Sequence, residues 1–204
     1  MRGRKNITQT EAVSFITELL AEIGWNDVTA EASSNSGIKF KRNNDVLINI
    51  TLYYPEWELY YNNGNSSYKP EDGAERSESV YTIYGTAHGI LIKSVAPETS
   101  NNMYILITKD DDISIAVKGS FYEDYSTKIV VVTYADSTYQ TISFSSNPAI
   151  NTSLCNMVRV GEVGTDTVCK YAFFMPLYQY NEEGILTIND IQYASNGYWC
   201  LSDE

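Results

Sequence analysis

Short segments of alternating apolar and polar residues, separated by turn-forming residues about every 8–12 positions, constrain the fold of this chain most strongly. The clearest segment carries Val46, Ile48, Ile50, Leu52 and Tyr54 at every second position, with a mixed set of residues between them. Successive side chains of a strand point to opposite faces of a sheet. The pattern therefore predicts a long strand over residues 46–54 with one buried face.

Similar segments fill most of the chain. Asn43-Asn44-Asp45 separates the strand at 46–54 from a shorter one at 38–40, which indicates a hairpin. Further strands are predicted at Trp57–Tyr61, Val80–Tyr84, Ile90–Val95, Met103–Thr108, Ile113–Lys118, Lys128–Ala135, Thr138–Phe144, Met157–Val160, Val168–Met175, Ile185–Ile188 and Tyr198–Leu201. The sequence thus predicts a mainly β (α+β) fold, an antiparallel β-sandwich or meander with one N-terminal amphipathic helix.

The helix is predicted over residues about 9–24. Thr8 and Glu11 have the spacing of a capping box, with Thr10 as a rival cap, and Gly24 supplies a stop. An apolar stripe recurs at three- and four-residue spacing and consists of Ala12, Phe15, Ile16, Leu19, Leu20 and Ile23. We expect this stripe to pack on the core, and the alternative is a helix that docks on another subunit.

The chain of 204 residues is predicted to form a single β-rich domain, 1–204. Residues about 62–79 are polar, with two glycines and a proline, and cannot build a core. They are interpreted as a long surface loop rather than a linker between two halves.

Net charge narrows the range of partners. The formal charge of −12 argues against nucleic acid and against an anionic membrane surface as partners. Arg2, Arg4 and Lys5 form the only basic cluster, interpreted as a solvated terminus or else as an arm that docks on an acidic neighbour. The charged start lacks a following apolar run, so either the protein stays in the cytoplasm or an export signal has been removed.

Thiol and imidazole groups are few. Cys155, Cys169 and Cys200 lie far apart in the sequence, and we expect buried thiols in a reducing compartment. A zinc site that combines them with His88 lacks any paired-cysteine spacing and is disfavoured. His88 is the single histidine and falls in a predicted turn, where a surface or hydrogen-bonding role is favoured over general-base catalysis. No cofactor is expected.

Acidic residues give no clear active site. Asp110–Asp112 is interpreted as a charged hairpin tip, although three carboxylates could hold Ca²⁺. Glu56, Glu58, Glu123 and Asp124 lie beside aromatic residues, but two acids of a glycosidase must meet in space. Phosphate-loop and serine-elbow motifs are absent from the sequence. The sequence therefore favours a protein that is not an enzyme.

Tyrosine is unusually abundant, with 17 residues against one histidine. Pairs of aromatic residues fall near predicted strand ends, where one ring can fill the core while the other faces a partner. The possible interface residues are Tyr53, Tyr60, Tyr122, Tyr125, Tyr178, Tyr198 and Trp199. The equally weighted alternative is that these tyrosines are ordinary strand-forming surface residues.

Three features spread over most of the chain resemble those of a known class of proteins. They are the capped helix at Thr8–Gly24, the tyrosine-rich strands DVLINITLYY and NNMYILITKD, and the aromatic C-terminal segment GYWCLSDE. In these features the chain resembles tail and head-tail structural proteins of bacteriophages. The resemblance implies a non-enzymatic virion subunit, present in the host cytoplasm before assembly, that forms a homo-oligomer and contacts other virion or tail proteins. The second hypothesis is a carbohydrate-binding module that stacks glycans on Trp57 or Trp199, and the third is a hydrolase that uses dispersed acids such as Glu56 and Asp124.

Overall fold

The computed structural model describes residues 1–34, 36–43, 45–53, 56–61, 78–95, 102–109, 113–118, 128–133, 139–143, 155–160, 166–174, 183–188 and 190–204. One helix and sixteen strands lie in these ranges. The helix is α1 (Gln9–Glu22), and the strands are β1 (Arg2–Ile7), β2 (Val28–Ser33), β3 (Gly37–Arg42), β4 (Asp45–Tyr53), β5 (Glu56–Tyr61), β6 (Val80–Thr86), β7 (Gly89–Val95), β8 (Asn102–Lys109), β9 (Ile113–Lys118), β10 (Lys128–Thr133), β11 (Tyr139–Ser143), β12 (Cys155–Val160), β13 (Asp166–Phe174), β14 (Glu183–Ile188), β15 (Ile191–Asn196) and β16 (Trp199–Ser202).

These strands form three antiparallel sheets. Sheet A has the order β1-β6-β7-β8-β9-β10-β11, sheet B the order β2-β3-β4-β5, and sheet C the order β12-β13-β16-β15-β14. Most neighbours in sheets A and B are also neighbours in sequence, which is the arrangement of a meander. The prediction of a mainly β protein with antiparallel sheets and one helix is confirmed.

The predicted capping box starts the helix. The Thr8 backbone N–H donates to the Glu11 carboxylate at 2.9 Å, and the Glu11 backbone N–H donates to the Thr8 hydroxyl at 3.4 Å. At the other end Gly24 adopts φ +95°, and the Trp25 N–H donates to the Leu20 carbonyl at 2.8 Å. This left-handed turn satisfies a terminal carbonyl and ends the helix at Glu22, two residues before the predicted end.

Sheet A is covered on both faces. The apolar stripe of α1 packs on β6 and β7, and the helix also contacts β2 of sheet B, so the core-packing interpretation of the helix holds within this chain. The sheet residues in this core cluster alternate along their strands and include Tyr81, Ile83, Ile90, Ile92, Met103, Ile105 and Ile107. On the opposite face, β15 and β16 of sheet C pack on β6 and β7.

The basic N-terminus is not a frayed end. Residues 2–7 form β1, which pairs antiparallel with β6 at the margin of sheet A. The α-amino group of Met1 donates to the Asp203 carboxylate at 3.0 Å. The side chains of this segment are exposed, as expected for a solvated terminus, but backbone pairing with β6 orders it as a strand although it carries no apolar alternation.

Of the polar loop predicted at about 62–79, only Glu78, which is exposed, and Ser79, which is buried, lie among the described residues. The hairpin predicted around Asn43 is present between β3 and β4, with Asn43 at φ +54°. The organisation of the chain as a single domain stays a prediction.

Candidate functional site

Tyr198 and Trp199 were predicted to face a partner, and the structure corrects this prediction. Tyr198 is 4% exposed and Trp199 is 0% exposed, and their rings meet edge to face at 4.9 Å. Gly197 adopts φ +92° just before them, in the turn that joins β15 to β16. This turn interrupts the simple strand alternation on which the prediction rested, so both rings are packed inside the chain. A buried Trp199 also cannot serve as a glycan-stacking platform.

The interface prediction for the other tyrosines is not tested, because their side chains lie outside the described part of the structure. Tyr53 lies on β4 and Tyr60 on β5, but their side chains are outside the described part of the structure. Tyr122, Tyr125 and Tyr178 lie outside the described residues altogether. Their interface role stays a prediction, as does glycan stacking on Trp57, whose side chain is also outside the described part.

Tyrosines whose surroundings are described serve the core. They are Tyr81, Tyr84, Tyr104, Tyr193 and Tyr198, and all are buried. Burial raises the pKa of Tyr81, and its hydroxyl donates to the Ser36 carbonyl. Burial raises the pKa of Tyr104 as well, against a hydrogen bond with Asn102 and with a further rise from the Glu183 charge.

The candidate reactive groups are scattered. His88 lies in the predicted turn between β6 and β7 and is half-buried. Burial raises the pKa of the Cys200 thiol to about 12, despite a hydrogen bond with Ser195 that lowers it. Such a thiol is a weak nucleophile at neutral pH, which agrees with the predicted buried thiol. Cys155 and Cys169 lie on β12 and β13, with side chains outside the described part.

The acids singled out in the sequence fall outside the part of the chain whose side chains the structure describes. Asp110–Asp112, Glu123 and Asp124 lie outside the described residues, and Glu56 and Glu58 lie on β5 with undescribed side chains. Among the residues that the structure does describe, no three His, Cys, Asp or Glu side chains are grouped so that they could hold a metal ion.

Two exposed terminal strands, linked by one side-chain contact, form the candidate assembly surface, defined here by β1 and β14. β1 ends sheet A, and five of its six residues are exposed. β14 ends sheet C, and its Ile185 is 59% exposed. The Lys5 ammonium donates to the Glu183 carbonyl at 3.5 Å, which brings the two margins together. The strand at Ile185–Ile188 was predicted, but no periodic apolar pattern marks β1, so the sequence carried no signal for the β1 part of this surface.

The basic side chains of β1 are partly engaged within the chain. Arg2 forms ion pairs with Glu22 and, at 3.2 Å, with Glu18 of the helix. The Arg4 guanidinium lies 4.4 Å from the centre of the Phe15 ring, a cation–π contact. These contacts hold β1 against α1 and leave positive charge on an exposed margin of an acidic protein.

A polar cluster lies behind this surface, between sheets A and C. Lys93 of β7 is 8% exposed, its ammonium pairs with the Glu183 carboxylate, and it lies 5.8 Å from the centre of the Tyr104 ring. Asn196 of β15 is completely buried and is the direct cross-strand neighbour of Glu183. Its side-chain amide donates to the Ile92 carbonyl at 3.0 Å. Polar groups therefore join the two sheets at positions that no sequence pattern singles out.

Within the described part of the chain, no helix is long and apolar enough to cross a membrane. Comparison of the chain with protein-family models, curated proteins and solved structures gives no match.

Proposed function

We propose that the protein is a non-enzymatic structural subunit of a phage particle or phage-like tail, which assembles through protein–protein contacts at its strand margins. The candidate assembly surface is the observation that carries the proposal. Its two terminal strands present backbone donors and acceptors at adjacent margins, and an exposed isoleucine stands on one of them. Such margins pair readily with a strand of another chain.

Charge supports assembly between copies of the chain or with another acidic virion protein. The chain carries −12 overall, whereas β1 carries Arg2, Arg4 and Lys5 within four residues. A basic margin on an acidic body attracts the acidic surface of a second subunit and orients the encounter. The phage identity itself comes from the whole-chain resemblance and is part of the proposal.

Sedimentation analysis of the full chain over a wide concentration range tests the assembly. We expect oligomers that dissociate on Ile185→Lys, because this change places a charge on the exposed apolar position of β14. Thr29→Lys is the matched control, since Thr29 is exposed on β2, a terminal strand of sheet B. The control variant should assemble like the unchanged protein.

Two results contradict the proposal. One is a chain that remains monomeric at every concentration and binds no co-expressed virion protein. The other is an oligomer that Ile185→Lys and Thr29→Lys weaken equally, which would place the contact elsewhere. Salt sharpens the test, because assembly that depends on the basic margin weakens as ionic strength rises.

A further inference from the structure

The polar cluster between sheets A and C combines an amine, a carboxylate and a carboxamide. Glu183 contacts the Lys93 ammonium and lies directly opposite Asn196 in the pairing of β14 with β15. Side chains of directly opposed residues share one face, with Cβ atoms about 4.5–5.5 Å apart. The Asn196 amide nitrogen lies 3.0 Å from the carbonyl of Ile92, the residue before Lys93. All three functional groups therefore converge in one layer.

The hydrogen bonds to the Asn196 carboxamide favour nucleophilic attack on its carbon, Cγ. Its oxygen accepts hydrogen bonds from the backbone N–H groups of Trp199 at 2.9 Å and Tyr198 at 3.1 Å. Two such donors polarise the C=O bond and stabilise negative charge that develops on the oxygen during attack on Cγ. The residue is 0% exposed, so water does not compete at this carbon.

The amine lies in the same buried layer as this electrophile, because its partner Glu183 stands directly opposite Asn196. Lys93 is 8% exposed and lies over the Tyr104 ring, which in turn contacts the Tyr198 ring at a centroid distance of 5.5 Å. The two rings lie beside the cluster and limit the positions that the lysine side chain can adopt. Confinement of a nucleophile beside its target replaces an encounter in solution and lowers the barrier to reaction.

We propose that Lys93 and Asn196 form an intramolecular amide crosslink with Glu183 as the general base and acid. The Glu183 carboxylate accepts a proton from the Lys93 ammonium, and the neutral amine attacks Cγ of Asn196. The N–H groups of Tyr198 and Trp199 hold the oxyanion of the tetrahedral intermediate. Glu183 delivers its proton to Nδ2, the Cγ–Nδ2 bond breaks, and ammonia leaves. The second proton of the attacking nitrogen then passes through Glu183 to the ammonia, which departs as ammonium and leaves a neutral amide. One C–N bond replaces another, so no oxidant or reductant is required.

The crosslink would tie β7 of sheet A to β15 of sheet C by a covalent bond. It is independent of the proposed assembly function, because it forms within one chain and needs no second subunit. Its consequence is mechanical: the two sheets cannot separate even when their packing is lost. A subunit with this bond resists unfolding forces and denaturants that would open a hydrogen-bonded junction.

Mass spectrometry of the intact, denatured protein tests the proposal directly. After native incubation of the full chain we expect a mass below the sequence mass by one ammonia. We also expect a branched peptide that contains Lys93 and Asn196, with no tryptic cleavage after Lys93. Persistence of the full sequence mass after prolonged native incubation overturns the proposal.

Lys93→Arg separates the crosslink from a competing reaction. Asn196 precedes Gly197, and ring closure of asparagine onto the next backbone nitrogen also releases ammonia. The guanidinium keeps the charge next to Glu183 but is not a comparable nucleophile. Loss of ammonia that disappears in Lys93→Arg supports the crosslink, whereas loss that persists assigns the change to the Asn196-Gly197 backbone and overturns it.

Glu183→Gln tests the assigned base. The amide keeps the size of the side chain and removes its proton-accepting carboxylate, so crosslinking should slow at least about 100-fold. Glu22→Gln, which removes the exposed partner of Arg2, is the control and should crosslink at the normal rate. An unchanged rate in a folded Glu183→Gln protein overturns the mechanism. Circular dichroism of each variant establishes that it is folded.

Discussion

The two faces of sheet A are covered in different ways. Toward α1 the alternating residues of β6, β7 and β8 form one apolar cluster with Phe15 and the other stripe residues of the helix. Toward sheet C the intervening residues include Lys93 and Tyr104, and the covering sheet contributes Asn196 and Tyr198. The helix face is held by apolar packing, whereas the sheet C face combines buried apolar residues such as Leu91 and Leu201 with specific contacts between polar groups.

This difference predicts different sensitivities to mutation. Apolar packing is non-directional, so its loss scales with the volume removed. A buried polar junction is directional, so loss of one member leaves its former partners unsatisfied.

Phe15→Ala should have the largest effect. Phe15 is 1% exposed within the apolar cluster and also contacts Arg4 across its ring. Truncation of a buried phenylalanine lowers the free energy of unfolding by about 3–5 kcal/mol. Ser14→Ala, at an exposed position of the same helix, should change it by less than about 0.5 kcal/mol. Urea denaturation measures both, and similar values for the two variants would show that the helix face is not a packed core.

The helix that covers one face of sheet A could be predicted from the sequence. Thr8 and Glu11 are close in sequence, the apolar stripe recurs every three or four residues, and Gly24 directly follows the stripe, so local spacing alone predicts the cap, the stripe and the stop. β1 was missed because a strand held mainly by its backbone needs no apolar alternation. Tyr198 and Trp199 were placed wrongly because a turn at Gly197 replaces the strand geometry that the prediction assumed.

The sheet C side could not be predicted from local pattern. Asn196 contacts the Ile92 carbonyl 104 positions away in the chain, and Lys93 contacts Glu183 90 positions away. Only the folded register of two sheets brings these residues together. Their sequence neighbours give no periodic signal for a polar junction, so the candidate crosslink emerges from the structure alone.

Asn196→Ala should have an intermediate effect on stability. The change removes the acceptor for the N–H groups of Tyr198 and Trp199 and the donor to Ile92, and an unsatisfied buried group costs about 1–3 kcal/mol. Asn196→Ala should be measured in the Lys93→Arg background, because this background cannot form the proposed crosslink. The difference in stability then reports only the loss of the Asn196 hydrogen bonds. Urea denaturation should show this loss relative to Lys93→Arg alone. No loss would mean that water replaces the amide and that the sheet C face tolerates change as a surface does.

Glu11→Gln should have the smallest effect, visible only as a change in the pH dependence of stability. The backbone N–H of Thr8, and to a smaller extent its hydroxyl, donate to the Glu11 carboxylate and hold its pKa below the ordinary value of 4.5. The folded protein therefore binds this proton less readily than the unfolded chain does, and the contribution of Glu11 to stability is complete above about pH 4.5. It is lost as the pH falls through the lower, folded pKa.

Glutamine can still accept these hydrogen bonds but does not titrate, so Glu11→Gln should flatten this acid-side loss in urea denaturation curves recorded from neutral to acidic pH. Since the capping box belongs to the helix that covers one face of sheet A, an unchanged acid-side slope would show that ionisation of Glu11 adds nothing to the stability of this face.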